Sequence, residues 1–324
     1  MAMRWNRRQF LRRLTALAVA GGMWGMSGCG SRPTATPAEV APQGAPASAA
    51  GAAGGADLAV ARGAGADPAE LTRRAIAAVG GIERFVKKGD VVLVKPNICN
   101  AYHGPEYAST TNPQVVAAIV ALCRGAGARE VKVLDYPFGG TPEQAYKISG
   151  IAEAVGAAGG SLLPISPVKF VETPVPNGKS MQKWRIYQDA LDADVYINVP
   201  IAKHHSAAGL TLGLKNVMGV IDRRNALHIN LHQGIADLAT VIKPALTVVD
   251  AVRILTANGP TGGNLNDVKQ LDTIIASVDV VSADAYACSF FDRQPETIGY
   301  IKAAAELGVG TMDLTGIKIE EVVV

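Results

Sequence analysis

Cysteine is scarce in this chain and poorly spaced for chemistry. There are four, Cys29, Cys99, Cys123 and Cys288. No two stand as CxxC, so neither a zinc ribbon nor a ferredoxin-type iron–sulfur cluster is encoded. Aromatic residues make up 5% of the chain and mark no docking face. Familiar catalytic signatures are absent as well. The glycine-rich run NGPTGGN, residues 258–264, is not followed by GK[ST] and contains no GxGxxG. ISG at 148–150 does not extend to GxSxG, and residue 229, between His228 and His232, is Ile where HExxH needs Glu. These gaps exclude a Walker loop, a nucleophile elbow and a zincin. No repeat of fixed period is visible.

Acidic residues are missing from the first 28 positions, which carry five arginines. Arg7 and Arg8 are followed by Phe10 and Leu11, then by a moderately apolar run from Leu14 to Met26. That run is too short and too glycine-rich to span a bilayer stably. The segment resembles a twin-arginine export signal, with Asn6 where Ser or Thr is usual. Met26-Ser27-Gly28-Cys29 looks like a lipoprotein cleavage box, which makes Cys29 the lipidation site and the membrane the first partner. The competing reading is an uncleaved amphipathic helix. The resemblance implies export of a folded protein, for which a cofactor inserted in the cytoplasm is one reason; fast folding or a partner carried along are others.

Charge changes meaning without that segment. The whole chain has 31 basic and 28 acidic residues. Taking five arginines from 31 leaves 26 basic against 28 acidic, a net of −2. The mature chain therefore offers no electrostatic case for nucleic-acid binding. Residues 29–66, rich in Ala, Pro, Gly, Ser and Thr, read as a flexible tether that buries too little apolar surface to order. Residues 67–324 are enough for a single α/β domain.

Within that domain, short apolar runs alternate with amphipathic ones. ADPAELTRRAIAAVG starts a helix with Asp67 as N-cap and Pro68 in the first turn. DVVLVKPNI, EVKVLDY, ADVYINVP, ALTVVDAV and GIKIEEVVV read as strands. TNPQVVAAIVALCRGAGA reads as a helix with Cys123 on its core face, and TPEQAYKISGIAEAVGAAG as a helix broken near Gly150. The expectation is a mostly parallel sheet with helices on both faces, and room for a small inserted subdomain. Such sheets bind ligands beyond the carboxyl ends of their strands. Polar residues collect there: Lys95 and Asn97, Asp135 and Tyr136, Asn198 with Lys203, His204 and His205, and Asp250 with Arg253.

The densest cluster is IAKHHSAAGLTLGLKNVMG, residues 201–219, with the following DRRNALHINLHQG. Four of the five histidines lie between 204 and 232. Lys203 and Lys215 can neutralise a phosphate or carboxylate. His204 can ligate or move a proton near neutral pH. Asn97 and Asn216 can orient a ligand. His228 and His232, four apart, share a face on a helix or a strand and can chelate a divalent metal; ordinary hydrogen bonding is the alternative. Gly262 and Gly263 sit in a loop whose backbone N–H groups can cradle an anion, or which is plainly flexible. Arg223 and Arg224 can bind a carboxylate or phosphate, but read first as a surface pair.

VKPNI, then INVPIAKHH with GLTLGLKNVMG, then LHQGIADL and KPALTVVDAVRILTANGPTGG, resemble the bacterial and archaeal family called domain of unknown function 362. The likeness covers most of residues 85–295, and Lys-His followed by GLKNxMG is its most specific part. It implies that Lys95, Asn97, Lys203, His204, Lys215 and Asn216 form the site. Members of that family are often associated with ferredoxin-type modules, whose cysteine clusters this chain lacks, so an iron–sulfur partner would be external. The layout is also similar, at the level of fold, to nickel-pincer racemases.

Three readings stay open. One is an exported, lipid-anchored enzyme with catalytic His204, Lys203 and Lys215, using a divalent metal or a phosphate-bearing cofactor. Another is a non-catalytic binder of a small anion. The last is an accessory subunit docking on an iron–sulfur protein.

Overall fold

Leu58–Arg62, inside the stretch expected to be a tether, forms a strand, β1. The computed structural model describes residues 55–324, which belong to one compact unit. The segment expected to be an export signal, Cys29 and the first part of the expected tether lie outside the described residues. The domain boundary must move forward, because Leu58, Ala59, Val60 and Ala61 are all fully buried. Small residues that look like spacer in composition serve here as a strand packed on both faces.

The first half of the domain continues with α1 (Pro68–Ala78), β2 (Val91–Pro96), α2 (Pro113–Gly125), β3 (Glu130–Val133), α3 (Pro142–Ile148), α4 (Ile151–Ala157) and β4 (Ser161–Leu162). Then come β5 (Phe170–Pro174), β6 (Lys183–Tyr187), α5 (Gln188–Asp192), β7 (Val195–Val199), β8 (Ile201–His205), β9 (Gly209–Thr211), α6 (Gly213–Asn216), α7 (Arg224–Leu227) and α8 (Leu231–Ala239). The chain ends with β10 (Leu246–Leu255), β11 (Val268–Ser277), α9 (Val280–Cys288), α10 (Gly299–Glu306) and β12 (Ile319–Val323).

The local signals are those that start and stop helices. Asp67 caps α1 by accepting from the Ala69 N–H, and Asn112 caps α2 by accepting from Gln114, each with proline in the first turn. Thr141 and Gln144 form a reciprocal capping box on α3. Gly150, at φ 72°, separates α3 from α4, a conformation in which glycine has no steric penalty.

The main sheet runs β12-β1-β11-β10-β7-β2-β3-β4. β10, β7, β2, β3 and β4 are mutually parallel. β11 runs antiparallel to both β10 and β1, and β12 lies parallel to β1. The sheet is thus mostly parallel and α/β, as expected, with antiparallel pairing where β11 meets β1 and β10 and in the β8–β9 branch. Alternation along the strands fills both faces. Ala59, Val92, Val94 and Ile274 pack with Leu71 of α1, Ile119 and Cys123 of α2, and Val155 of α4. The opposite face is covered in part by α9, which packs on β10 and β11. Cys123 is core, and burial pushes its thiol up to about 12. The β5–β6 hairpin is a separate two-stranded sheet, a small insertion between β4 and β7.

From β2 the chain steps outward to β3 and β4, then returns through α5 to β7 on the other side of β2. The carboxyl ends of β2 and β7 therefore border a topological switch, where open α/β sheets bind ligands. β8 extends this end. It follows β7 directly after Pro200 and pairs with both β10 and β9.

A chain beginning at Asp67 lacks β1, which separates β11 from β12. It is expected to lose the cooperative urea transition of the full-length protein. An unchanged transition would show that β1 is dispensable.

Candidate functional site

Asn216 ties the strand ends together. Its side-chain oxygen accepts from Lys95 Nζ at 2.7 Å and from Asn97 Nδ2 at 3.0 Å. Its amide donates to the Lys95 carbonyl at 3.2 Å and to Asn198 Oδ1 at 2.9 Å. Asn198 in turn donates to the Gly213 carbonyl at 2.9 Å. One short helix, α6, is thereby fixed to both β2 and β7. From the other side, the Asp284 carboxylate of α9 accepts from the N–H groups of Gly213 and Leu214 at 2.6 and 2.9 Å. Burial pushes Asp284 up to about 8, against the pull of those two donors.

Lys95 is fully buried and pairs with Asp135, just past β3, at 2.7 Å. It also donates to the Pro96 carbonyl at 2.8 Å. With the bond to Asn216, all three ammonium protons are used. Burial lowers its pKa to about 8, and Asp135 opposes the drop. The Asp135 carboxylate also accepts from the Ile98 and Tyr136 backbone N–H groups. Gly219 lies over this pair. A Cβ there would meet Asp135 Oδ1 at 1.8 Å and Lys95 Nζ at 2.5 Å, so the close approach requires glycine.

Above this floor opens a cleft of about 690 Å³, a size suited to a small molecule. Four cationic side chains line it, Lys95, Lys203, Lys215 and Arg224, against one carboxylate, Asp135. Lys203 is 1% exposed and donates to the carbonyls of Ser109 at 2.6 Å and Pro260 at 3.1 Å. The ammonium of Lys215, the half-buried residue of α6, has no hydrogen bond or ion pair among the described residues. Burial, then the nearby Lys203, lowers its pKa to about 7. The Arg224 guanidinium stacks 4.4 Å from the Tyr136 ring centroid and donates to the Tyr136 and Pro137 carbonyls. Two buried acceptors on the cleft wall, Asn97 Oδ1 and Thr211 Oγ1, have no protein partner.

The expected residues separate into two groups. Lys95, Asn97, Lys203, Lys215 and Asn216 all reach the cleft. His204 does not: its Nδ1 accepts from the Gly259 N–H at 3.1 Å, away from the lining. The strand's two-residue period puts His205 on the Lys203 side instead. His205 Nδ1 accepts from the Ala207 and Ala208 N–H groups at 3.1 and 3.2 Å, so Nε2 carries the proton. Burial and the neighbouring Lys215 hold this imidazole neutral, its pKa down at about 3.

The metal pair does not form. His228 lies on a short 3₁₀ turn at the cleft rim and bonds the Arg224 carbonyl at 2.9 Å. His232 belongs to α8 and stacks near Tyr300, with ring centroids 6.2 Å apart. The backbone of Asn230, at φ −135° and ψ 61°, interrupts the helical period that would have put both rings on one face. Among the described residues no three His, Cys, Asp or Glu side chains group to hold a metal. Gly262 and Gly263 are also outside the lining. Gly262 donates to the Asn258 carbonyl at 3.1 Å, and Gly263 lies against His103. Asp135 and Tyr136 were visible as polar groups at a strand end. Arg224 was not distinguishable from Arg223.

The chain belongs to the family described as domain of unknown function (DUF362), which matches residues 92–289 and so includes every cleft residue named above. It is similar to the thylakoid-associated protein sll1697 of Synechocystis sp. (strain ATCC 27184 / PCC 6803 / Kazusa), 30% identical over 244 residues, which is 71% of this chain and 72% of that protein. Among solved structures, the lactate racemase apoprotein from Thermoanaerobacterium thermosaccharolyticum aligns with a TM-score of 0.46 and 13% identity. That alignment covers 71% of this chain and 56% of the other.

Removing one partner of the buried pair isolates its role. Asp135→Ala leaves the Lys95 ammonium buried without its counter-charge and is expected to cost about 3–5 kcal/mol in urea unfolding. The double variant Lys95→Met, Asp135→Leu should recover most of that loss. Equal destabilisation in both would place the energy elsewhere.

Proposed function

We propose that this chain is an exported, lipid-anchored enzyme whose cleft holds a small organic anion, carrying a carboxylate or a phosphate. The observation that carries the reading is the charge of the cleft. Lys203, Lys215 and Arg224 converge there, and the one carboxylate, Asp135, is already engaged by Lys95 and two backbone N–H groups. Cations held together without a counter-ion favour an anionic guest. The unpartnered acceptors of Asn97 and Thr211 supply places for hydroxyl or amine donors of that guest.

The cleft residues suit a phosphate-bearing group and do not suit a divalent metal held by His228 and His232. Lys203 and Arg224 would hold such a phosphate, and Lys215 would titrate beside it. A non-catalytic binder would use the same cations. The enzyme reading is favoured by Lys215, because a lysine lowered to about 7 is suited to moving a proton near neutral pH. Anchoring rests on the Met26-Ser27-Gly28-Cys29 box, and the thylakoid-associated relative is itself named for a membrane.

Calorimetric titration with inorganic phosphate and with oxalate tests the site. Both should bind, and Arg224→Gln should weaken them about tenfold, the scale of a lost charged hydrogen bond. An anion prefers the protonated form of Lys215, so affinity should fall as pH rises through about 7. Lys215→Gln should flatten that slope. No binding by either anion would remove the proposal. For the anchor, Cys29→Ala should abolish labelled palmitate incorporation and release the protein from membranes; retained label would move the lipid elsewhere.

A further inference from the structure

We propose that the Lys215 amine forms an imine with the carbonyl carbon of a small anionic carbonyl compound, an oxo acid or a phosphorylated aldehyde or ketone, held in the cleft by Lys203 and Arg224. The inference rests on the anion site proposed above and goes further by naming a covalent step.

Three features of Lys215 converge on it. First, the residue is held rigidly at its backbone but free at its tip. The N–H groups of Gly213 and Leu214 are fixed by Asp284, and the side chain of the next residue, Asn216, makes four hydrogen bonds. The ammonium itself has no protein acceptor among the described residues, whereas Lys95 and Lys203 both bond neighbouring carbonyls. Second, the surroundings disfavour its charge. No carboxylate pairs with it, while Lys203, Lys95 and Arg224 all push its pKa downward, together with burial, to about 7. A desolvated lysine beside other cations is an activated amine nucleophile. Third, His205 stands on the same cleft wall with its Nε2 proton fixed by the bonds at Nδ1. A neutral imidazole donor of this kind can polarise a carbonyl oxygen.

The step balances without an oxidant or reductant. The lone pair of neutral Lys215 attacks the carbonyl carbon, and the C=O π pair moves to oxygen. The proton lost from nitrogen is taken up by that oxygen, giving a carbinolamine. Loss of the hydroxyl with a second proton releases water and forms C=N. Lys203 and Arg224 keep their charges throughout and hold the acid group, so anchoring and attack fall to different side chains.

The full-length protein is incubated with pyruvate or with dihydroxyacetone phosphate in the presence of sodium cyanoborohydride, then mapped by mass spectrometry. The expected result is one reduced adduct per chain, located at Lys215, with a rate that rises as pH passes about 7. A pyruvate adduct alone assigns a carboxylate substrate, and a dihydroxyacetone phosphate adduct alone assigns a phosphate. Lys215→Arg should lose the adduct and still bind inorganic phosphate; if that variant does not fold, the adduct position in the unaltered protein decides. Adducts scattered over surface lysines overturn the inference, as does none at all. Phosphate or oxalate binding without an adduct removes only the imine. Failure of both removes the anion site as well.

Discussion

The Lys95–Asp135 pair, closed by Asn216, is the constraint from which the rest of the cleft is built. A buried ammonium is tolerated only if its charge and all its protons are satisfied. Meeting that demand draws β2, β3 and α6 to one point, since Asp135 follows β3 and Asn216 ends α6. The same amide reaches Asn198 on β7. Four separated stretches of sequence are thus brought into register by one set of polar contacts at the end of an apolar sheet. Gly219 is part of the same constraint, because any side chain there would occupy the space of the pair.

That floor places further cations above a surface with no free negative charge, and the protein bears the resulting repulsion. In the native state Lys215 gives up its proton near pH 7, well below its ordinary value. Between that pH and the unfolded value of 10.5 the unfolded chain binds more protons, so this residue makes stability rise with pH. Asp284 acts in the opposite sense. Its folded pKa of about 8 lies above 3.8, so between those values the native state holds the extra proton and stability falls as pH rises. The two groups meet at α6, one fixing its backbone and the other extending from it into the cleft.

Much of this was legible in the sequence, and what was not has identifiable causes. Short apolar strands and proline-led helix starts are local, so the α/β alternation could be read directly. Residues at strand ends followed from that, and Lys95, Asn97, Lys203, Lys215 and Asn216 do share the cleft. His205 was within reach: once Lys203 faces the site, the residue two positions on must face it too. β1 was hidden because Ala and Val in an alanine-rich context carry no periodic signal. His228 and His232 misled because a spacing of four has meaning only on continuous secondary structure, and Asn230 breaks it. Arg224 could not be separated from Arg223 by any local feature. Its role depends on Tyr136, 88 residues away.

On the proposed reading, an anionic ligand completes this electrostatic arrangement. An anion seated between Lys203, Lys215 and Arg224 would supply the counter-charge that no acidic side chain provides, and would raise the pKa of Lys215 on binding. Binding and protonation are therefore linked, and a bound anion must also stabilise the fold, since the unfolded chain offers it no such cluster. A carboxylate side chain in the same place would have stabilised the protein directly. It would also have filled the site and restored the proton to Lys215. Keeping the cluster unneutralised makes sense if the charge is reserved for a guest, which ties the repulsion within the cleft to the anion proposed for it.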